Sequence, residues 1–557
     1  QFILNTDGPM GEVDTQAIER QLADVARLWE DRLADALIDS HGEELAEQLL
    51  NKFGQSFPAG YRERESARQA IIDIGRLKLV LDGAPLAINL HRPLDADNDH
   101  LHVRLCHPAT ALPLSRVLPT LQNLGLEIRT ERPYQIKPQD HDDGIWLHDF
   151  EGRLATSLDG DLEDARGRFH EAFETIWSGA AENDELNRLI LAAGLTVREV
   201  ALLRAYCRYL RQIQFPLTIR AMADVFVGHP KITKQLVGLF HAMHDPAASN
   251  SHADRDSKVG GYLVAIDHAL EDVVSIDDDR AIRALLSLFR ETLRTNFYQR
   301  DEAGNARSWI AFKLNSAAVE EIPLPRPKRE IFVYSPRVEA VHLRGGLVAR
   351  GGIRWSDRRD DFRTEILGLM KAQMVKNAVI VPVGAKGGFV LKQAPETGGR
   401  DALQAEGIAC YKILVRALLE ISDNIVDGTV VPPQDIIRYD DDDPYMVVAA
   451  DKGTATFSDI ANGIAQEYGF WLDDAFASGG SAGYDHKGMG ITAKGAWESV
   501  KRHFRERGKN IQEEPFTCVG VGDMSGDVFG NGMLLSDKTK LVAAFNHLHI
   551  FIDPDPD

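Results

Sequence analysis

The sequence predicts a multidomain α/β protein, with helical and small α+β modules first and α/β domains in its second half. Three observations lead to this fold class. The 557 residues are enough for roughly three or four domains. Apolar residues recur at helical spacing over residues 10–82 and most of 160–300, which is typical of packed helices. From residue 326 onward, β-branched runs alternate with helical segments, a pattern that indicates α/β architecture.

The composition argues against several classes of protein. Hydrophobic residues make up 44% and charged residues 26% of the chain, which is ordinary for a soluble globular protein. The formal net charge of -21 argues against nucleic acid or an anionic membrane as the main partner. No apolar run approaches the about 18 residues of a membrane span. The chain opens at Gln1 and stops in an acidic, proline-containing tail, so we expect a piece of a longer protein.

The first part of the chain is predicted to contain three modules. Residues 1–82 form a helical segment, because IERQLADVARLWEDRLADALI has apolar positions at helical spacing. Residues 83–155 form a small ACT-like module, because strand-like and helical runs follow one another in β-β-α-β-β order. Such a module often binds a small effector, but packing and domain pairing are open alternatives. Residues 156–325 form a helical domain, with the polar stretch DPAASNSHADRDSK as a surface loop.

Residues 326–490 are predicted to form the domain that carries the chemistry, beginning with the strand-like stretch PLPRPKREIFVYSPRVEAVHLRGG. Its most informative residue is Lys386, which stands between Ala385 and Gly387-Gly388. These neighbours have little side-chain bulk, so a substrate can approach the lysine closely. Partial burial would lower the pKa of this lysine, because desolvation disfavours the ammonium form. A lysine with a lowered pKa can act as a base near neutral pH.

A helix predicted over residues 364–377 presents two polar side chains toward packed structure. On a helical wheel with about 100° per residue, Gln373 lies on the same side as Ile366, and Lys376 borders that side. Lys371 lies far from Lys376 on the wheel and is expected to be solvated. A cation that faces inward needs a partner, which is either a substrate carboxylate or an acid elsewhere in the protein.

Two further candidates lie before and after this helix in the sequence. Arg350 precedes the pair Gly351-Gly352, and its planar guanidinium can bind a carboxylate through two hydrogen bonds. Asp451 follows an apolar run and precedes a Gly-Thr turn, a position suited to proton transfer into a cleft or to capping the following helix. Other arginines near Arg350 are expected to be solvated or paired with adjacent aspartates: Arg354, Arg358, Arg359 and Arg363.

Residues 491–557 are predicted to begin a Rossmann-type NAD-binding domain, of which only the first strand-helix-strand unit is present. An apolar strand leads into GVGDMS, where the glycines allow a tight turn and the close approach of a pyrophosphate. HIFID then ends a second predicted strand in a carboxylate that would bind ribose hydroxyls and favour NAD over NADP. The candidate cofactor residues are Gly520, Gly522, Ser525 and Asp553.

Cysteines and histidines give no metal signal. The four cysteines lie far apart without metal-ligand spacing, and we expect reduced thiols of a cytoplasmic protein: Cys106, Cys207, Cys410 and Cys518. The histidine pairs at 241/244 and 547/549 have no third ligand nearby in the sequence. We therefore predict no metal site.

Together these motifs resemble those of the NAD-dependent glutamate dehydrogenases, and specifically the large bacterial class. They follow one another in the order GGxR, KxxxxKNA, PxGAKGG, AxDxGT, GGS and GxGxxS. They cover residues 350–388, 447–459 and 479–532. The order of the motifs is specific to this family, whereas any one motif alone would not be. Residues 1–330 resemble the long N-terminal extension of that class.

The resemblance implies roles for the candidate residues of the substrate site. Lys386 is similar to the catalytic lysine of the family, and Asp451 matches the aspartate that passes protons to and from the amino group. Lys376 and Gln373 match the pair that binds the substrate at its α-carboxylate. Arg350 stands where short glutamate dehydrogenases have a lysine for the side-chain carboxylate.

For the cofactor, the resemblance implies NAD. Thr492 in GITAKGAW resembles the threonine that contacts the nicotinamide amide, and Gly520, Gly522 and Ser525 match the pyrophosphate turn. The implied reaction is the oxidative deamination of L-glutamate to 2-oxoglutarate and ammonium by a cytoplasmic homo-oligomer. The alternatives are a dehydrogenase of another amino acid, or a regulatory or scaffolding protein with a degenerate catalytic domain. A guanidinium at position 350 favours a dicarboxylate substrate.

Overall fold

A computed structural model describes residues 16, 18, 19, 27–92, 99–155, 158–249, 251–376, 383–482, 486–524, 526–546 and 548–556. The side chains of residues 375, 376, 486, 487, 523 and 527 lie outside this description. The chain divides into two compact units. Unit 1 contains Gln1–Met243 and Ala247–Phe289, and unit 2 contains His244–Pro246 and Arg290–Asp557.

Helices dominate unit 1, and strands are concentrated in unit 2. The α-helices of the described residues are α1 (Trp29–His41), α2 (Glu43–Phe53), α3 (Ala59–Arg64), α4 (Ala67–Leu81), α5 (Leu114–Asn123), α6 (Leu162–Trp177), α7 (Leu189–Ala192), α8 (Val197–Gln212), α9 (Ile219–Gly228), α10 (Pro230–His244), α11 (His252–Leu270), α12 (Ile276–Arg290), α13 (Phe362–Lys376), α14 (Gly399–Glu420), α15 (Ser458–Glu467), α16 (His486–Met489), α17 (Ile491–Glu506) and α18 (Asp527–Met533). Across the described ranges, no helix combines the length and the apolar character needed to cross a membrane.

The strands are β1 (Ala87–His91), β2 (His100–Pro108), β3 (Leu126–Ile136), β4 (Ile145–Leu154), β5 (Thr292–Thr295), β6 (Ile310–Leu314), β7 (Arg329–Tyr334), β8 (Val338–Arg344), β9 (Ala349–Trp355), β10 (Val383–Leu391), β11 (Asn424–Val426), β12 (Thr429–Val431), β13 (Val448–Ala450), β14 (Ala477–Ser478), β15 (Phe516–Asp523), β16 (Thr539–Phe545) and β17 (Ile550–Ile552).

The first part of unit 1 packs helices α1–α4 against a four-stranded sheet. The strands pair antiparallel in the order β1-β2-β4-β3, and α5 lies between β2 and β3 in the chain. Ser66 caps α4 by accepting the backbone N–H of Gln69. The apolar side of α4 packs on β1 and β2, in a core that includes Leu37, Phe53 and Tyr61. The predicted combination of helical and small α+β modules is therefore confirmed.

Helices α6–α12 form the rest of unit 1. Helix α8 begins with a capping box, in which the Thr196 side chain accepts the backbone N–H of Glu199 and the Glu199 carboxylate accepts that of Thr196. Most residues of α8 are buried around its whole circumference, including Leu203, Tyr206 and Leu210. A helix that is buried on most of its sides packs in the interior, so α8 is central to this helical region.

An eight-stranded sheet forms the core of unit 2, in the order β14-β13-β9-β10-β8-β7-β6-β5. Strands β14, β13, β9 and β10 run parallel to their neighbours, whereas the pairs from β10 to β5 are antiparallel. Parallel strands need a crossover connection, and α13 provides it between β9 and β10. Helices α14 and α15 pack on this sheet through a shared apolar core.

The predicted domain boundary at residue 325 is wrong. Strands β5 and β6 belong to the sheet of unit 2, although their residues fall within the predicted helical domain. Every residue of both strands is buried. A strand buried on both faces shows no alternation of apolar and polar residues, so its sequence cannot be told from that of a short buried helix.

The end of unit 2 contains a separate three-stranded sheet in the order β15-β16-β17. Strands β15 and β16 are parallel and are joined through α18, which is the strand-helix-strand unit expected at the start of a Rossmann-type domain. Strand β17 runs antiparallel to β16. Strand β15 contains Gly520 and Gly522, which are discussed below.

Candidate active site

Strand register brings three charged residues onto one face of the large sheet in unit 2. Arg354 lies near the end of β9, Lys386 lies within β10, and Asp451 directly follows β13. Strand β9 is parallel to both β10 and β13 and pairs with each of them. Because side chains alternate between the two faces of a sheet, the register directs these three side chains to the same face.

The three side chains form one hydrogen-bonded ion cluster, which we call the lysine–aspartate cluster. Lys386 Nζ lies 2.6 Å from Asp451 Oδ2, and Arg354 Nε donates to the same oxygen at 2.8 Å. Arg354 Nη1 also donates to Glu365 Oε1 at 3.0 Å. The Lys386 side chain is 6% exposed and that of Asp451 is 23% exposed, so a ligand can reach the cluster on the Asp451 side.

The Asp451 carboxylate is fixed both in position and in charge. The backbone N–H of Asp451 donates to Thr454 Oγ1 at 3.0 Å, and this hydroxyl donates to the carbonyl of Ile353 at 2.7 Å. Burial acts to raise the pKa of Asp451, but hydrogen bonds from Arg354 and Lys386 outweigh it, and that pKa lies below its ordinary value. Asp451 is therefore ionised at neutral pH.

Glycines allow the elements around the cluster to pack closely. A Cβ atom at Gly351 would overlap the carbonyl oxygen of Ala385 on the neighbouring strand, and one at Gly352 would lie 3.3 Å from Asp451 Cβ. A Cβ atom at Gly388 would overlap an isoleucine side chain of α13. Larger residues would separate β9, β10 and α13, so these glycines keep the reactive side chains within contact distance.

The predicted carboxylate ligands lie on β9 and α13. Gln373 is half-buried and faces β10, because a Cβ atom at Gly384 would lie 2.7 Å from Gln373 Cβ. Lys376 is the last residue of α13, and its side chain lies outside the described part of the chain. Arg350 is exposed and shares a strand face with Arg354.

Arg354 and Glu365 are members of the cluster that the sequence did not single out. The expectation that Arg354 is solvated or pairs with an adjacent aspartate is wrong, because it pairs with Asp451, 97 residues away. Arg363 likewise pairs with a distant acid, Glu330, and both are buried. Arg354 could have been predicted from the alternation of side chains along β9, which places Arg354 on the same face of the strand as Arg350.

The predicted turn at Gly520–Ser525 begins later in the structure, because β15 extends to Asp523 and contains both Gly520 and Gly522. A Cβ atom at Gly520 would overlap the ring of Phe529 in α18, and Gly522 has a φ of 142°, in a region that favours glycine. Ser525 lies outside the described residues. Thr492 is exposed in the first turn of α17.

The predicted position of Asp553 is wrong. Asp553 follows β17, which is antiparallel to β16 and does not pair with β15. The strand beside β15 is β16, which ends at Phe545. The backbone N–H of Asp553 donates to the carbonyl of Val542, three residues before that end. Asp553 therefore does not lie at the end of the strand that neighbours β15. The apolar run HIFI indicates a strand but not which strand lies beside it. The residue that follows β16 is Asn546, whose Oδ1 accepts two backbone N–H groups of the next turn.

Family comparisons agree with this geometry. Residues 265–557, more than half of the chain, match the family described as bacterial NAD-glutamate dehydrogenase, catalytic domain. The chain belongs to this family. Glutamate dehydrogenase helical motif 2, the ACT3 domain and helical motif 3 match residues 36–80, 85–165 and 181–246. The resemblance predicted from the motifs is therefore confirmed.

Curated bacterial glutamate dehydrogenases match along the whole chain. The NAD-specific glutamate dehydrogenase of Halomonas elongata is 55% identical over 558 residues, which cover 100% of this chain and 34% of the relative. That of Pseudomonas aeruginosa is 53% identical with the same two coverages. The chain thus spans about a third of the length of the curated relatives it matches.

Among solved structures, a hetero-hexameric glutamate dehydrogenase from Thermus thermophilus is 15% identical, with a TM-score of 0.27. The match covers 53% of this chain and 59% of that one. At this score the likeness establishes no shared arrangement of the domains.

Proposed function

We propose that this chain carries the glutamate-binding and catalytic residues of an NAD-dependent glutamate dehydrogenase, which converts L-glutamate to 2-oxoglutarate and ammonium. The observation that carries the proposal is the 2.6 Å contact between Lys386 Nζ and Asp451 Oδ2. A buried lysine beside an ionised carboxylate supplies the base and the proton relay that oxidative deamination needs. The family match and the NAD-specific relatives support the same substrate and cofactor.

Substrate binding requires a cation for each of two carboxylates. Arg350 is proposed to bind the side-chain carboxylate, because it is exposed on β9, just before the side-chain-free pair Gly351-Gly352. Lys376 and Gln373 are proposed to bind the α-carboxylate from the end of α13. Arg354 is assigned a positioning role, because its guanidinium already donates to two carboxylates of the protein.

Lys386 and Asp451 divide the proton transfers between them. Once the α-hydrogen has left as hydride, the substrate has an iminium carbon that water attacks. Lys386 Nζ, having given its own proton to Asp451 Oδ2, takes a proton from that water as the C–O bond forms. Asp451 Oδ2, 2.6 Å from Lys386 Nζ, passes the proton it has received to the amino nitrogen. It then takes the hydroxyl proton as the C–N bond of the carbinolamine breaks and the C=O bond forms, and it gives that proton to the departing ammonia.

The end of β15 and its connection to α18 are proposed to bind the dinucleotide. Gly520 and Gly522 leave two positions near the end of β15 without side chains, and β15, α18 and β16 have the parallel order on which dinucleotides bind. Bound NAD+ would supply the hydride acceptor. Thr492 is proposed to contact the nicotinamide amide, and Gly520, Gly522 and Ser525 to hold the pyrophosphate. Asp553 has no part in this assignment.

The test is NADH formation by the full-length protein with a panel of amino acids. We expect the kcat/KM for L-glutamate to be well above the values for aspartate, norvaline and leucine. We also expect a higher kcat/KM with NAD+ than with NADP+ as the cofactor. A folded full-length protein that binds NAD but forms no NADH from any amino acid would overturn the proposal. A higher kcat/KM with a different amino acid would mean that this amino acid is the substrate, while the proposed reaction, oxidative deamination, would stand.

Replacing Arg354 by methionine is expected to move the acid limb of the kcat/KM profile of the full-length enzyme to higher pH. Arg354 is a hydrogen-bond donor that lowers the pKa of Asp451, so its loss lets Asp451 take up a proton at a higher pH. The matched control is Arg359→Met, which removes an exposed arginine of the same segment. An acid limb that stays in place in Arg354→Met would contradict the positioning role.

Replacing Arg350 by leucine is expected to weaken glutamate binding. Leaving a carboxylate without its partner in a closed site costs about 2–5 kcal/mol, so the KM for glutamate should rise strongly while kcat changes less. The leucine side chain should also permit some activity toward norvaline or leucine. If the KM for glutamate is unchanged, another cation binds the side-chain carboxylate. Lys371→Leu, which changes an exposed cation of α13, serves as the control.

We further propose that the ACT-like module binds a small effector and that the enzyme is a cytoplasmic homo-oligomer. The ACT3 match supports the first statement, and four free cysteines are in keeping with a reducing compartment. The proposed modules are a helical segment at 1–82, the ACT-like module at 83–155, and a helical domain that ends near 290. The catalytic domain then runs to 490, before the NAD-binding domain.

A further inference from the structure

A second cluster of ligand atoms lies in unit 1, on the sheet of the ACT-like module. His100 and His102 are two residues apart on β2, so they share one face of the sheet. Glu151 on β4 pairs directly with His102. One nitrogen of each imidazole and one oxygen of Glu151 lie within 4.8 Å of one another. These side chains are 15% to 28% exposed, so an ion can reach them.

We propose that His100, His102 and Glu151 bind a zinc ion. Two imidazoles and one carboxylate are a donor set that Zn²⁺ accepts, with water in the fourth position. His100 Nε2 and Glu151 Oε1 are 3.4 Å apart. Zinc bonds of about 2.0–2.1 Å in a tetrahedral arrangement place neighbouring ligand atoms about 3.3–3.4 Å apart. This pair of donors is therefore already at the spacing that zinc requires.

The donor nitrogen of His100 is available to a ligand. His100 Nε2 is buried and makes no hydrogen bond to the described residues. Glu151 Oε2 accepts hydrogen bonds from Thr130 and Arg132, both at 2.9 Å. These two bonds hold the carboxylate so that Oε1 faces His100. A buried imidazole nitrogen without a hydrogen bond is costly, and a metal ion would satisfy it.

His102 is oriented by a carboxylate in the manner of metal-binding histidines. Its Nδ1 lies 2.9 Å from Asp149 Oδ1, and Asp149 is buried. If Nδ1 carries the proton and donates it to this carboxylate, the lone pair of Nε2 is free for a metal. Carboxylate–histidine–metal arrangements of this kind fix the tautomer and raise the basicity of the ligand.

The surrounding charges match a dication. Four carboxylates contact two guanidinium groups in this network: Glu65, Asp73, Asp149 and Glu151 with Arg104 and Arg132. With neutral histidines, two negative charges are left in excess. Burial raises the pKa of Asp73 to about 6, so this carboxyl is still mostly ionised at neutral pH. A zinc ion would balance the excess.

The test measures zinc binding to the untagged full chain by equilibrium dialysis, with bound zinc determined by mass spectrometry. We expect about one tightly held zinc ion per chain. His102→Ala and Glu151→Gln should each weaken binding by at least about 100-fold, because loss of an outer partner alone costs about 10–100-fold. The matched control is His268→Ala. His268 lies 3.3 Å from Glu271 on the surface of α11 and belongs to no three-ligand group of the described residues.

A second readout separates metal binding from damage to the fold. Zinc should raise the melting temperature of the parent chain and of His268→Ala, since a ligand that binds only the folded state stabilises it. In the presence of EDTA, parent and variants should show the same circular dichroism spectrum. The proposal fails if the parent holds no zinc, or if His102→Ala and Glu151→Gln hold as much zinc as the parent. In those cases the cluster is only an ion pair between protonated histidine and Glu151.

Discussion

Replacing Lys386 by alanine in the full-length enzyme is expected to lower kcat by about two to four orders of magnitude, the range that a positioned base contributes. The side chain is nearly buried and lies 2.6 Å from Asp451, so no solvent base can take its place with the same geometry. Affinity for NAD should change little, because the turn after β15 belongs to a different sheet. Steady-state NADH formation and a binding titration with NAD measure the two quantities.

The matched control for this experiment is Lys371→Ala. Lys371 is exposed on α13, so its removal changes the net charge equally but does not touch the lysine–aspartate cluster. Thermal unfolding should show that both variants remain folded, since Asp451 keeps its partner Arg354 in either case. A folded Lys386→Ala enzyme with near-normal kcat would rule out the catalytic role of the lysine.

Replacing Arg363 by methionine is expected to lower the free energy of unfolding by about 3–5 kcal/mol, the usual cost of leaving a buried charge without its partner. Arg363 donates to both oxygens of Glu330, at 2.6 Å and 2.7 Å. The two side chains are 1% and 0% exposed, so water cannot replace the guanidinium. Urea denaturation followed by circular dichroism measures the change.

Two further variants show whether the loss arises from the unpaired charge. Combining Arg363→Met with Glu330→Gln should recover much of the stability, because no ionised group is then left buried alone. Arg358→Met removes an exposed ion pair with Asp361 and should have little measurable effect. A loss in Arg358→Met as large as that in Arg363→Met would contradict the explanation by burial.

The ion pair of Arg363 and Glu330 also helps to position α13, the helix that carries Gln373 and Lys376. Glu330 lies on β7, and Arg363 lies in the first turn of α13, the helix that ends with Gln373 and Lys376 in its last turn. The pair therefore fixes the start of this helix on the sheet. We expect Arg363→Met to raise the KM for glutamate in addition to its effect on stability.

Local sequence patterns were enough to predict many of the elements. The β-β-α-β-β order of the small module and the helices of unit 1 could be predicted, because apolar spacing and turn residues act within a few positions of the chain. Strands β5 and β6 could not, because burial on both faces removes the alternation that identifies a strand. The pair His100 and His102 gave no signal, because the third member of the proposed zinc site, Glu151, lies two strands later in the chain.

By itself, the sequence determined the family of this protein and the candidates Lys386 and Asp451, because ordered motifs and glycine patterns are local. Only the tertiary structure decided the partners of these residues. It placed Arg354 beside Asp451, 97 residues away, and it placed Asp553 after β17, which does not pair with β15. The physical reason is that side-chain alternation tells which face of a strand a residue occupies. Which strand lies beside it depends on how distant segments pack.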